Sequence, residues 1–105
     1  MTGRIVLRYH VIMVKTFADA NTENLFNTAK SRKYPQDILK RAITRLNWID
    51  TASMVEDLKV PPSNHLEKLK GDREGQYSIR INNQYRVCFI FENSNAFDVE
   101  IVDYH

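Results

Sequence analysis

Cysteine, glycine and proline are scarce in this chain: one, three and three among 105 residues. A lone Cys88 excludes a disulfide framework and points to a reducing compartment. One cysteine and three scattered histidines give no metal-ligand spacing, so neither a metal nor another cofactor is expected. With so few glycines there is no phosphate-binding loop of the dinucleotide or nucleotide-triphosphatase kind. No serine or cysteine nucleophile has an obvious base, and Cys88 falls in strand context, where a thiol is structural. Also lacking is any run of the ~20 apolar residues that would span a bilayer. The tempting stretch from Ile5 to Val14 is interrupted by Arg8 and His10, with Lys15 following. It reads as a strand rather than a secretion signal, so no membrane contact and a cytoplasmic location are expected. Neither charge sign dominates: 15 Lys and Arg against 13 Asp and Glu leave +2, too little to imply a nucleic-acid partner by itself. What is plentiful is apolar and aromatic side chain, at 43% and 10%, which excludes disorder and suits one domain with its own core.

The few breakers punctuate the chain. Val14–Phe17 reads as a short strand, and Asp19 or Asn21 caps a first helix whose apolar face is Leu25, Phe26 and Ala29. Pro35 suits the first turn of a second helix, with Asp37 complementing its dipole. Ile38, Leu39, Ala42, Ile43, Leu46 and Ile49 recur at helical spacing and face a core, opposite Lys40, Arg41, Thr44 and Arg45. Residues 30–45 hold six Lys or Arg against the single Asp37, either a solvated helix face or a contact for nucleic acid. Pro61-Pro62-Ser63-Asn64 ends this helical half.

Beyond Leu66 the pattern switches to alternation, in Tyr77–Ile81, Tyr85–Phe91 and Phe97–Ile101, as expected of strands with one covered and one open face. A three-residue loop Asn82-Asn83-Gln84 pairs Ile81 with Tyr85, Ile79 with Val87 and Tyr77 with Phe89, so the large apolar residues share a face. The same logic at Asn93-Ser94-Asn95 pairs Phe91 with Phe97 and Phe89 with Val99. The expected fold is α+β: two N-terminal helices on one face of a curved antiparallel sheet. Its open face then presents Ser78, Arg80, Arg86, Cys88, Glu100 and Tyr104. Arg80 and Arg86 fall directly opposite each other, a repulsive pair that calls for an anion between them, either Glu100 or a bound phosphate. Lys68, Lys70 and Arg73 make the approach to the sheet basic, and the chain ends Asp103-Tyr104-His105, where His105 has the titration range for proton transfer.

These pieces together resemble the HigB-type toxins of the RelE/ParE superfamily of bacterial toxin–antitoxin modules. The resemblance runs from about Met13 to His105. It rests on Met13-Val14-Lys15-Thr16-Phe17, Asn64-His65-Leu66-Glu67-Lys68-Leu69-Lys70-Gly71-Asp72-Arg73-Glu74-Gly75, Tyr77-Ser78-Ile79-Arg80, Tyr85-Arg86 and Asp103-Tyr104-His105. Residues 1–12 fall outside it, so they are expected to be an upstream extension, with Met13 as a natural start and 13–105 as the toxin domain.

The resemblance implies a RelE-like ribonuclease fold and a ribosome-dependent messenger-RNA endonuclease that cuts in the decoding site. Attack by a ribose 2′-hydroxyl on the adjacent phosphodiester is implied, without a metal, leaving the protein to move protons and stabilise charge. It implies His105 as general acid or base, Tyr104 as its partner or stacking platform, and Asp103 as an orienting group. Lys70 and Arg86 match the family's phosphate-stabilising lysine and strand arginine. Arg73, with Lys68 and Arg80 nearby, would bind RNA. Some relatives carry a histidine three residues before the loop lysine; here that position is Glu67, so Glu67 or His65 is the substitute. A helix-turn-helix antitoxin of the HigA type is the implied partner, with operator DNA met only through it. The rival readings are a gyrase-poisoning branch of the superfamily and a non-catalytic adaptor for RNA or protein.

Overall fold

Asp19 decides where the first helix begins. Its backbone is extended and its carboxylate accepts a bond from the Thr22 N–H at 2.6 Å, satisfying a donor that the helix itself leaves unpaired. Helix α1 runs over Ala20–Thr28 and stops at Ala29, which adopts a left-handed φ of 62°. Ala29 is therefore an exposed terminator and not part of the apolar face, which Leu25 and Phe26 supply. Helix α2 spans Gln36–Thr51; Pro35 stands just before its first turn rather than within it. Ile38, Ala42, Leu46 and Ile49 are buried in the core, with Leu39 and Ile43 packed at its margin, as their spacing demands. The computed structural model describes residues 13–104; residues 1–12, and with them the expected N-terminal extension, lie outside the described residues, as does His105.

After two 3₁₀ turns, at Val55–Lys59 and Pro62–Asn64, the chain enters a four-stranded antiparallel sheet in sequence order. Its strands are β1 (Glu67–Lys68), β2 (Tyr77–Arg80), β3 (Tyr85–Glu92) and β4 (Asn95–Asp103). The β2–β3 register is the one a three-residue loop requires: Ile79 opposite Val87, Tyr77 opposite Phe89, and Arg80 opposite Arg86. Ile79, Ile81, Val87, Phe89, Val99 and Ile101 all enter the core beneath the helices.

The β3–β4 register departs from expectation. Cys88 faces Glu100, but Ile90 faces Phe97 and Phe91 faces Ala96, because an extra residue is inserted in β4. The insertion comes at Asp98, whose φ is 52°, and the turn shrinks to Asn93-Ser94, both also at positive φ. Side-chain parity flips at the bulge, so Ala96 takes the core position and Phe97 turns to the other face beside Ile90. The expected Val14–Phe17 strand is reduced to two isolated parallel bridges, Val14 to Ala96 and Phe17 to Val99. These bonds, together with Thr22 Oγ1 accepting from the Ile101 N–H at 3.0 Å, cover the outer edge of β4.

Candidate active site

The face of the sheet turned away from the helices is not open. Ser78 and Cys88, expected to be exposed there, are both 0% exposed, and Leu69 from the segment after β1 is buried as well. None of the three belongs to the main core, so the segment 65–76 roofs part of this face. Burial pushes the Cys88 thiol pKa up, outweighing the nearby Arg73 and Arg86, so the group is a neutral packing element.

Arg86 is the centre of what remains accessible, with only 12% of its side chain exposed. Its Nε donates to Ser78 Oγ at 2.8 Å and its Nη2 to the His65 carbonyl at 2.6 Å. Glu67 Oε1 stands 3.7 Å from Nη2, and the guanidinium carbon lies 5.4 Å from the centre of the Tyr104 ring. Held on several sides, Arg86 presents a fixed positive charge, which is what stabilising a developing anion requires. Arg80 opposite it donates to the Asn82 carbonyl at 3.2 Å and to Asn83 Oδ1. Neither arginine is bridged by Glu100, contrary to one of the two expectations for their repulsion. Glu100 instead accepts from Arg73 Nη1 at 3.2 Å, and the same nitrogen donates to Gln76 Oε1.

Two adjoining depressions result. One, about 260 Å³, is lined by His65, Arg80, Asn82, Asn83, Arg86 and Tyr104. The other, about 350 Å³, is lined chiefly by Glu67, Lys68, Lys70, Asp72, Arg73 and Tyr104. Tyr104 is the wall they share, so Lys70 and Arg86 stand on either side of it rather than in one cavity. The expected residues His65, Glu67, Lys68, Lys70, Arg73, Arg80, Arg86 and Tyr104 are thus gathered at one place. His65 is exposed and at a left-handed φ of 46°, a conformation that brings its carbonyl onto Arg86. Asp103 lines neither depression; it pairs with Tyr85 across the sheet and accepts from Gln84 Nε2 at 3.1 Å.

Two residues to which the sequence reading gave no site role hold side chains of this cluster. Ser78 orients Arg86 from within the sheet. Gln84 anchors the chain end twice, through Asp103 and through its own carbonyl, which accepts from the Tyr104 N–H at 2.6 Å. The one available signal for Ser78 was its register position opposite Cys88, next to Arg86.

The fold is similar to that of a chain in the YoeB–YefM complex from Staphylococcus aureus. The two chains align with a TM-score of 0.56 and 18% identity, over 88% of this chain and 97% of the other. The family whose sequence model is described as "RelE-like toxin of type II toxin-antitoxin system HigB" matches residues 15–105, and this chain belongs to it: the HigB-like toxins. Among relatives, the Endoribonuclease HigB of Proteus vulgaris is 34% identical over 93 residues, 89% of this chain and 100% of that protein. Toxin HigB-1 of Vibrio cholerae is 36% identical over 78 residues, 73% of this chain and 82% of its own length.

Proposed function

We propose that this chain is the toxin of a type II module and acts as an endoribonuclease on messenger RNA in the decoding site of the ribosome. The observation that supports the reading best is the Arg86–Tyr104 pairing, with Lys70 across the same tyrosine. It provides two cations and a stacking surface where a phosphodiester and an unstacked base are to be held. In this mechanism a ribose 2′-hydroxyl attacks its neighbouring phosphorus and the 5′-oxygen leaves, giving a cyclic phosphate. The nucleophile belongs to the substrate, so no metal is required to generate it. Arg86 stabilises the pentavalent phosphorane's charge, Lys70 reaches the same phosphate from beyond Tyr104 once the strand is bound, and Arg73, Lys68 and Arg80 hold flanking phosphates. His105 moves a proton, with Tyr104 and Asp103 placing it; Glu67 or His65 serves as the second acid–base group. The Proteus relative's name, Endoribonuclease HigB, supports the activity, and the neighbouring toxin–antitoxin complexes support an antitoxin partner, here of the helix-turn-helix HigA type.

His105→Gln is expected to lower cleavage by about 100- to 10,000-fold, the usual contribution of one acid–base group, with ribosome binding retained. Primer-extension mapping of message ends in cells expressing each form reads this out. In-frame cuts made equally by both forms would overturn the assignment, and growth arrest without any cuts would favour a non-cleaving toxin.

A further inference from the structure

A third depression continues the groove away from the chain end. It measures about 410 Å³ and is lined by Arg41, Arg45, Ser63, Arg80, Asn82 and Asn83 together with Ile81. Arg80, Asn82 and Asn83 also line the Arg86 depression, so the two adjoin along the β2–β3 loop. Arg41 and Arg45 stand one helical turn apart on α2, an arrangement of like charges that disfavours the helix. Among the described residues no ion pair involves Arg41, Arg45 or Arg80. The bonds these arginines do make are to neutral acceptors. Arg45 Nε donates to the Arg80 carbonyl at 3.1 Å while its guanidinium lies 5.1 Å from the centre of the Trp48 ring, and Arg80 is held by Asn82 and Asn83. Arg45 is thereby fixed and partly dehydrated, its pKa lowered by burial first and by Arg41 second. The acid-bearing depression lies on the other side of Arg86, where Glu67 and Asp72 are.

Three guanidinium groups with no carboxylate between them, two of them already immobilised around a polar hollow, make a preorganised anion site. We infer that the Arg41–Arg45–Arg80 hollow binds a second phosphate of the RNA strand whose scissile phosphate lies at Arg86. This rests on the proposed endoribonuclease reading and extends it. The strand would run from the Lys70 side, past Tyr104 and Arg86, along Asn82-Asn83 to α2. Asn82, Asn83 and Ser63 offer hydrogen bonds to its sugar and phosphate oxygens.

The test uses the full chain and 2′-O-methyl RNA, which cannot be cut. A dinucleotide has one internal phosphate and occupies only one site; a strand of about eight nucleotides is long enough for both. Arg41 is exposed, so its substitution should leave the fold intact, which thermal melting checks; Lys40→Glu supplies the same charge change at a neighbouring exposed position outside the hollow. By NMR titration at low salt, Arg41→Glu is expected to weaken the longer strand about tenfold, the equivalent of about 1.4 kcal/mol, and to leave the dinucleotide within about twofold. Arg41→Ala is expected to reduce the salt slope for the longer strand by about 0.7, one phosphate contact. Equal binding of the longer strand by wild type and Arg41→Glu would overturn the inference while leaving the cleavage reading standing. So would an equal loss in Lys40→Glu. Failure of the wild type to bind the longer strand more tightly than the dinucleotide would overturn it as well, whereas the cleavage reading stands or falls on the mapping of message ends.

Discussion

Arg86 makes its two shortest hydrogen bonds to groups that carry no charge. Ser78 is buried and spends its hydroxyl on the guanidinium, and the His65 carbonyl takes a second donor. A hydrogen bond to a charged group contributes about 1.5–3 kcal/mol, and leaving a mostly buried arginine donor unpaired costs on that scale. Ser78→Ala is accordingly expected to destabilise the fold by about 1–2 kcal/mol in urea denaturation. It should also reduce cleavage more than Lys68→Ala, since the exposed Lys68 is not what fixes Arg86. The reverse order would mean that Arg86 does not need to be held. The register placed Ser78 on the same face as Arg86, but not the guanidinium's direction, which depends on the distant His65 carbonyl, so the serine's role was not legible in the sequence.

At the scale of the elements, the helices were legible because periodicity and capping act within a few residues: of the two expected caps Asp19 starts α1, and the 38–49 stripe faces the core. The β2–β3 hairpin was equally legible, because only one loop length put every large apolar residue on one face. The β3–β4 hairpin was not, since a bulge allows two registers to satisfy the same alternation. What selects it lies far off in sequence. Thr16 Oγ1 accepts from the Asp98 N–H at 2.8 Å, and the Asp98 carboxylate accepts from Thr16 Oγ1 at 3.3 Å. Asp98 sits at positive φ, a cost of about 1 kcal/mol or more for a residue with a side chain. Asp98→Gly, which removes that cost along with the carboxylate's bond but keeps the N–H bond, is expected to stay within about 0.5 kcal/mol of wild type in chemical denaturation. Asp98→Ala keeps the cost, loses the carboxylate's bond and should fall by about 1–2 kcal/mol.

Across the whole molecule, one buried carboxylate ties the start of the described chain to the helix pair. Asp50, 4% exposed near the end of α2, accepts from the Met13 and Val14 N–H groups at 2.9 and 3.0 Å. That segment in turn covers the edge of β4, the strand that delivers Tyr104 to Arg86. Asp50→Ala leaves two backbone donors without their acceptor and should cost about 3 kcal/mol, with faster amide exchange at Lys15 and Ala18. Protection there unchanged from wild type would show that the segment is held by other contacts.

The sequence by itself determined the helices, the helix-covered face of the sheet, the opposition of Arg80 to Arg86 and the family, all of which depend on local periodicity or on residue identities in order. Only the tertiary structure decided that the far face is roofed, that Glu100 belongs to Arg73, and that Phe97 turns outward. It alone divided the cleft at Tyr104 and brought Arg41 and Arg45 of α2 alongside Arg80. Those outcomes depend on which distant segments compete for the same hydrogen bonds and the same space, and alternation along a strand carries no record of that competition.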